Sequence, residues 1–387
     1  MMGTYSHLKF EWCGEILATI GYGVQARAIL RPLIEGGADV KLIQAEDYVP
    51  AERKLKDPFW EQAIADSGKK PDMPVRINFS IPAQYRIREN CVNVGWTQWD
   101  TSKVPVEWIP VINKMDHLFC NSAYAKRSFE STTPPKHLVR PNFVFADPTN
   151  VVSVNECTTD VVKFVFSCNW LPRKNHADLI TAFTYAFNDI HKDVHLILKC
   201  WPGSDDVQNK RNIENGIRHF SDRIKGLNRA NVSLIFDYTD EATVDGLINF
   251  ADVYVSLSKA EGLDSSMLKA MSLNKLVVGL PFDTRGDFLN AMTGLPCHYT
   301  LSPIIDSFAQ LADSYQVWAQ PDILDAAAKL RIAYDLVKAN RLGFTEVGGS
   351  LLDYKALTHN AYQNLDLLVG QKLNTPRIAK AIEKVMP

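Results

Sequence analysis

At 387 residues the chain exceeds what one hydrophobic core commonly serves, so two domains are expected. Its 46% hydrophobic and 22% charged residues are the mix of a soluble globular protein, and 42 basic against 44 acidic residues leave a net charge of -2. That balance excludes a bulk electrostatic demand for nucleic acid or membrane, while a local basic patch stays open. No apolar run reaches the roughly 20 residues of a membrane span. Lys9, Glu11 and Glu15 interrupt any signal-peptide core, so a cytoplasmic protein is expected. The seven cysteines, Cys13, Cys91, Cys120, Cys157, Cys168, Cys200 and Cys297, stand singly without a Cys-x-x-Cys pair, so reduced thiols and no metal site are expected.

His7 to Cys13 reads as a first strand and Val24 to Glu35 as a helix, kinked by Pro32 and stopped by Gly36-Gly37; Val40 to Ile43 is the next strand. The intervening turn carries Gly21-Tyr22-Gly23, where glycines either let the backbone approach a phosphate or sugar or simply make a tight turn. Arg76 to Ser80 and Cys91 to Trp96 are further strands. Beyond them the chain is dense in Trp, Thr and Asp. Trp96 and Trp99 with Asp100 can bind a sugar, its apolar faces on the rings and its hydroxyls on the carboxylate, or the rings can pack a core. Asn113 to Cys120 reads as a helix running into a strand, and another helix starts at Ser122. Leu138 to Phe145 leads out through Pro141 and Pro148, and the polar stretch from Asp147 to Asp160 is the expected boundary.

Val161-Val-Lys-Phe-Val-Phe166 reads as a fully buried strand. His176 to Asp189 is a helix with Leu179, Ile180, Ala182, Phe183 and Phe187 on one side, and Val194 to Cys200 completes a βαβ unit. Arg173-Lys174-Asn175 lies in the loop before that helix, where the cations can grip a diphosphate or be a solvated turn. Lys210, Arg211, Arg218, Arg223, Lys225 and Arg229 face only Glu214 and Asp222; such a run wets a helix face or contacts an acidic acceptor such as a phosphate backbone. Strand Val232 to Phe236 and helix Glu241 to Asn249 follow.

From Asp252 to Met271 the chain reads strand, loop, helix. Val253, Tyr254, Val255 and Leu257 are β-prone, Gly262 breaks the run, and Ser265 or Ser266 can cap a helix turning Met267, Leu268 and Met271 inward. Glu261 is thereby held at a strand end beside a helix N-terminus, where ligands collect in an open α/β sheet. Leu276 to Pro281 is the next strand. Asp322 to Val337, Leu351 to Leu368 and Arg377 to Val385 are helices with apolar faces.

Ser258-x-x-Glu261-Gly262, together with Arg173-Lys174-Asn175, the glycines at 21 and 23 and Gly286-Asp-Phe288, resembles the signature of the GT-B glycosyltransferases of the group 1 family, glycosyltransferase family 4. Three positions depart from it. Asp264 stands at the second glycine, Lys269 at the second glutamate, and Asn169 where many members carry a basic residue. The resemblance implies an α/β fold of two Rossmann-like doubly wound domains facing across a cleft. Residues 1–155 would bind the acceptor, 156–350 the nucleotide-sugar, and the helices of 351–387 would cross back to the first domain.

It also implies a retaining, metal-independent hexosyl- or pentosyltransferase with no permanently bound cofactor. A sugar would pass from a nucleotide-activated donor to a hydroxyl acceptor: a glycan, lipid-linked glycan, small molecule or modified nucleic acid base. Glu261 would contact the transferred sugar, Arg173 and Lys174 would steady the departing diphosphate, and Asp100, Trp96 and Trp99 would line the acceptor side. Gly21, Gly23, Asn169, Gly262, Ser265, Ser266, Met267 and Lys269 would hold the donor. Lys269 can donate to a ribose but not accept from it, and a carboxylate at 264 repels a diphosphate unless it caps amides. These departures keep a non-catalytic sugar- or nucleotide-binding relative open, beside a sugar-nucleotide epimerase or phosphorylase on the same scaffold.

Overall fold

The computed structural model describes residues 3–19, 21–45, 54–132, 138–139, 160–188, 193–201, 207–224, 230–236, 239–304, 315–344 and 353–387. The chain divides into two compact units: Met1–Ala146 with Leu311–Gln316 and Asp366–Pro387, and Asp147–Gln310 with Val317–Leu365.

In the first unit the elements run β1 (Lys9–Gly14), α1 (Gly21–Glu35), β2 (Asp39–Gln44), α2 (Pro58–Ser67), β3 (Val75–Phe79), β4 (Val92–Thr97), α3 (Ile109–Ile112), β5 (His117–Cys120), α4 (Ala123–Thr132) and β6 (Leu138–Val139). The strands form one parallel sheet in the order β2-β1-β3-β4-β5-β6. Glu11 lies buried in the middle of β1, where Arg76 and Arg88 reach its carboxylate at 2.7 and 2.8 Å; a charge so buried needs such partners. The helical turn expected after Asn113 comes earlier, as α3, because Pro110 suits a helix start and Asn113 is the C-cap. Of the segment from Leu138 to Phe145 only β6 is described, and the expected boundary stretch lies outside the described residues except for Asp160.

The second unit runs β7 (Val162–Asn169), α5 (His176–Ala186), β8 (Val194–Trp201), α6 (Val207–Ser221), β9 (Val232–Ile235), α7 (Glu241–Phe250), β10 (Val253–Ser256), α8 (Ser265–Ser272), β11 (Leu276–Gly279) and β12 (Leu295–Pro296). These strands form a parallel sheet in the order β12-β11-β10-β7-β8-β9. Successive strands are laid outward from β7 on one side, and the chain then returns to lay the rest from β10 on the other. The order therefore reverses between β7 and β10, which is where a doubly wound sheet opens a ligand crevice. Val162 to Phe166 is buried throughout, as a parallel strand covered on both faces requires. An antiparallel pair, β13 (Tyr299–Pro303) and β14 (Val317–Pro321), precedes the long helix α9 (Ile323–Arg341) and α10 (Tyr354–Val369). Lys225 and Arg229 of the basic run lie outside the described residues.

The last helix, α11 (Gln371–Glu383), begins earlier than Arg377 and holds Pro376 inside it. Its Ile378 and Ile382, with Val385 just beyond, share the core of the first unit with Ile29, Leu30 and Leu33 of α1. Among the described residues no helix is long and apolar enough to cross a membrane.

Candidate functional site

At the reversal point β7 and β10 are neighbours, and the loops leaving their C-terminal ends are laced together. After β7 the chain makes one tight helical turn, Pro172–Lys174, and Asn175 takes a left-handed φ of 57° before α5. Asparagine tolerates that conformation better than most residues. Its side-chain amide then donates to the Leu257 carbonyl at 3.1 Å. The Lys259 amide donates to the Arg173 carbonyl at 2.8 Å, and the Arg173 guanidinium donates to the Ala260 carbonyl at 2.7 Å. The two loops form one platform.

Glu261 closes that platform. Its carboxylate, with the residue 6% exposed, receives Lys174 Nζ at 2.5 Å on Oε1 and the Arg173 guanidinium at 3.2 Å on Oε2. Burial by itself raises the carboxyl, but Lys174 and then Arg173 outweigh it and hold Glu261 down at about 2. The backbone amide of Glu261 donates to Asp283 Oδ2 at 2.7 Å. Asp283, itself left-handed at φ 58°, is also clasped by Arg285 through two side-chain nitrogens at 2.8 and 3.1 Å. Both side chains of this pair are closed to solvent. Burial pushes the Asp283 carboxyl up, to about 7, against the pull of Arg285. No motif marks Asp283; the available signal is an acidic residue two before an arginine and two after the proline that follows a strand.

Asp264, not Ser265 or Ser266, caps α8. It takes a left-handed φ of 56° and accepts the Met267 amide at 3.2 Å. Burial, and next the charge on Glu261, raise its carboxyl. Gly262 offers its carbonyl to the Thr284 hydroxyl at 2.8 Å.

No protein-family model matches the chain, and no curated protein matches its sequence. Solved structures do match. Sucrose-phosphate synthase from Thermosynechococcus elongatus superposes with a TM-score of 0.63 at 12% identity, over 97% of this chain and 99% of that one. Anabaena Alr3699/HepE in complex with UDP and glucose gives 0.61 at 11% identity, over 98% and 100%. Both are GT-B proteins, superposed on this chain almost end to end. The chain has the GT-B fold. A variant of S. aureus TarM in complex with fondaparinux, α-GlcNAc-glycerol and UDP gives 0.55 at 12% identity over 80% of this chain, which spans only 55% of TarM's length.

Within its second unit the GT-B chain thus brings Arg173, Lys174, Glu261 and Gly262 together at one sheet reversal, with Ser265 and Ser266 in the first turn of α8. Asn169 is exposed at the end of β7. Two expected donor contacts are corrected. Met267 is fully buried, its methyl group packed so close to Gly279 that a Cβ there would lie 2.7 Å away, and its amide is taken by Asp264. Lys269 is buried between Asp245 at 2.6 Å and Glu241 at 3.0 Å, so its ammonium neutralises carboxylates of α7.

In the first unit of the GT-B chain the expected sugar-stacking rings are corrected as well. Trp96 is 0% exposed, ringed by Trp12, Phe79 and Phe119, with its indole N–H donating to Asn121 Oδ1 at 2.5 Å. Trp99 is 6% exposed, packed edge-on against Trp108, and donates to the Lys103 carbonyl at 2.6 Å. Neither presents a face to a ligand, because β4 is an interior strand and its loop folds back on the core. Gly23 is required by its own chain: a Cβ there would lie 2.0 Å from the Ala18 carbonyl oxygen. A Cβ at Gly21 would meet nothing within 4 Å, leaving the backbone open to approach. The Tyr22 hydroxyl meets Thr97 Oγ1 at 3.0 Å and accepts the Gln98 amide at 3.2 Å, so the start of α1 and the 97–100 segment with Asp100 meet.

The described cysteines are free thiols, and two of them are brought together by strand pairing. β7 and β8 pair in register with Cys168 opposite Cys200, and His176 Nε2 at the start of α5 lies 3.0 and 3.5 Å from their sulfurs. The three side-chain atoms all fall within 4.8 Å of one another, a grouping that could hold a metal ion and that linear spacing does not reveal.

Proposed function

We propose that this chain is a retaining glycosyltransferase that moves a sugar from a uridine-diphosphate-activated donor to a hydroxyl acceptor. The observation that carries the reading is the clustering of Lys174, Arg173 and Glu261 at the reversal between β7 and β10. Breaking a sugar–phosphate bond builds negative charge on phosphate oxygens, and preorganised cations stabilise it without reorganising at the moment of reaction. Two cations against one carboxylate leave a net positive charge for the departing diphosphate. Held ionised, Glu261 accepts hydrogen bonds from sugar hydroxyls and favours positive charge at the anomeric carbon. Because Arg173 and Lys174 take the place that a divalent ion would fill, transfer is proposed to need no metal.

Retention is supported by the likeness of Ser258-x-x-Glu261-Gly262 to the group 1 family, and a uridine nucleotide by the UDP bound to Alr3699/HepE and TarM. Gly262, Ser265 and Ser266 are proposed on the donor side with Asn169 and Gly21, and Asp100 on the acceptor side. Residues 1–155 and 156–350 remain the proposed acceptor and donor domains.

One observation favours a second reading, a nucleotide-sugar binder without turnover: Asp264 sets a carboxylate over the first turn of α8, where a diphosphate would otherwise use the amides. A panel of nucleotide-sugars, with products followed by mass spectrometry and anomeric configuration by proton NMR, separates the two. Transfer or donor hydrolysis supports the enzyme, binding without turnover for every donor supports the binder, and no binding overturns both.

A further inference from the structure

We propose that Cys168, Cys200 and His176 bind one borderline-soft transition-metal ion of the zinc class, through two thiolates and an imidazole. The site is independent of sugar transfer. A tetrahedral zinc with bonds of roughly 2.3 Å to sulfur and 2.0–2.1 Å to nitrogen places sulfur and nitrogen roughly 3.5 Å apart. His176 Nε2 lies at that separation from Cys200, 3.5 Å, and at 3.0 Å from Cys168, and all three ligand atoms lie within 4.8 Å of one another.

Three separate elements aim these atoms at one point. In-register parallel pairing sets the two cysteines side by side, and α5 starts at His176 immediately after the left-handed Asn175. Trp170 stacks on the imidazole at 4.0 Å between ring centroids and 26° between planes, fixing its orientation. Cys200 and His176 are buried, at 0% and 4% exposure. Among the described residues the hydrogen-bond partners of Nε2 are these two sulfurs, which are weak donors and weak acceptors. An imidazole nitrogen buried against two thiols is poorly satisfied as a hydrogen-bonding group and well placed as a ligand. Cys168 is the least enclosed of the three residues, and in this proposal water would supply the fourth ligand. The ion would tie β7, β8 and α5 around the loop that carries Arg173 and Lys174, bracing that loop and taking no part in the chemistry.

The test uses the full untagged chain, zinc itself and cobalt as its spectroscopic substitute. Expected are one zinc per chain by elemental analysis, a mixed sulfur and nitrogen shell in X-ray absorption, and thiolate-to-metal charge-transfer and intense tetrahedral d–d bands with cobalt. Cys200→Ser and His176→Ala should lose the bands, and Cys297→Ser should keep them. X-ray absorption of the unmodified chain keeps the proposal testable should a variant fail to fold. No zinc retained at an excess of ion, a shell without sulfur, or unchanged binding in folded Cys200→Ser would each overturn it.

Discussion

Lys174 Nζ lies 2.5 Å from Oε1 of Glu261, and that contact joins the loop after β7 to the loop after β10. Because each side chain holds the other, either truncation removes a charged group and loosens its partner. Glu261→Ala and Lys174→Ala should each lower kcat/KM by about 100- to 1000-fold with intact folding, and the double variant should lose less than the product of the two. Donor kinetics with circular dichroism as the folding control measure this. Near-normal rates in both single variants would refute the site.

The pH response follows from the same contact. Glu261 has a folded pKa of about 2, depressed below its ordinary 4.5. A depressed carboxyl contributes stability that is fully present above about 4.5 and is lost as pH falls toward about 2. The melting temperature of the unmodified chain should therefore fall more steeply through that window than that of Glu261→Gln. Equal slopes would show that the cations do not hold the carboxylate in solution.

Asp283 and Arg285 form a pair closed to solvent, and Asp283 also fixes the Glu261 amide. Asp283→Asn keeps a side chain that tolerates the left-handed turn but removes the carboxylate that clasps a buried guanidinium, at a cost of about 3–5 kcal/mol above about pH 7, where Asp283 is ionised. Denaturant unfolding should show that loss, and adding Arg285→Met should recover part of it. A neutral single variant would mean that the pair is not closed to water.

Asp264 and Lys269, the two departures on α8, should behave differently. Asp264→Gly keeps the left-handed cap at a cost of a few tenths of a kcal/mol and removes a carboxylate from the helix start, so UDP should bind several-fold tighter by calorimetry. Lys269→Met strands Asp245 and should cost about 3 kcal/mol of stability while leaving UDP affinity unchanged. Weaker binding in the first variant would make Asp264 a donor contact.

Much of this was legible along the chain. The alternation of strands and helices shows because buried parallel strands such as Val162 to Phe166 are mostly apolar, broken there only by Lys163, and Arg173-Lys174 with Glu261 shows because each follows such a strand. What escaped depends on orientation or register. A tryptophan that stacks on sugar and one that packs a core have the same ring, and only the interior place of β4 decides for Trp96. Asp264, Ser265 and Ser266 are all good caps, and the left-handed turn selects the first. Cys168 and Cys200 become neighbours only through strand pairing.

Ile29 and Ile382 share one interior although they come from opposite ends of the chain. A nascent polypeptide therefore carries an open hydrophobic seam along α1 throughout synthesis of everything between them, and closing so long a loop is entropically slow. Such a chain should depend on chaperones during translation, and the middle unit should become protease-resistant before the one that begins the sequence.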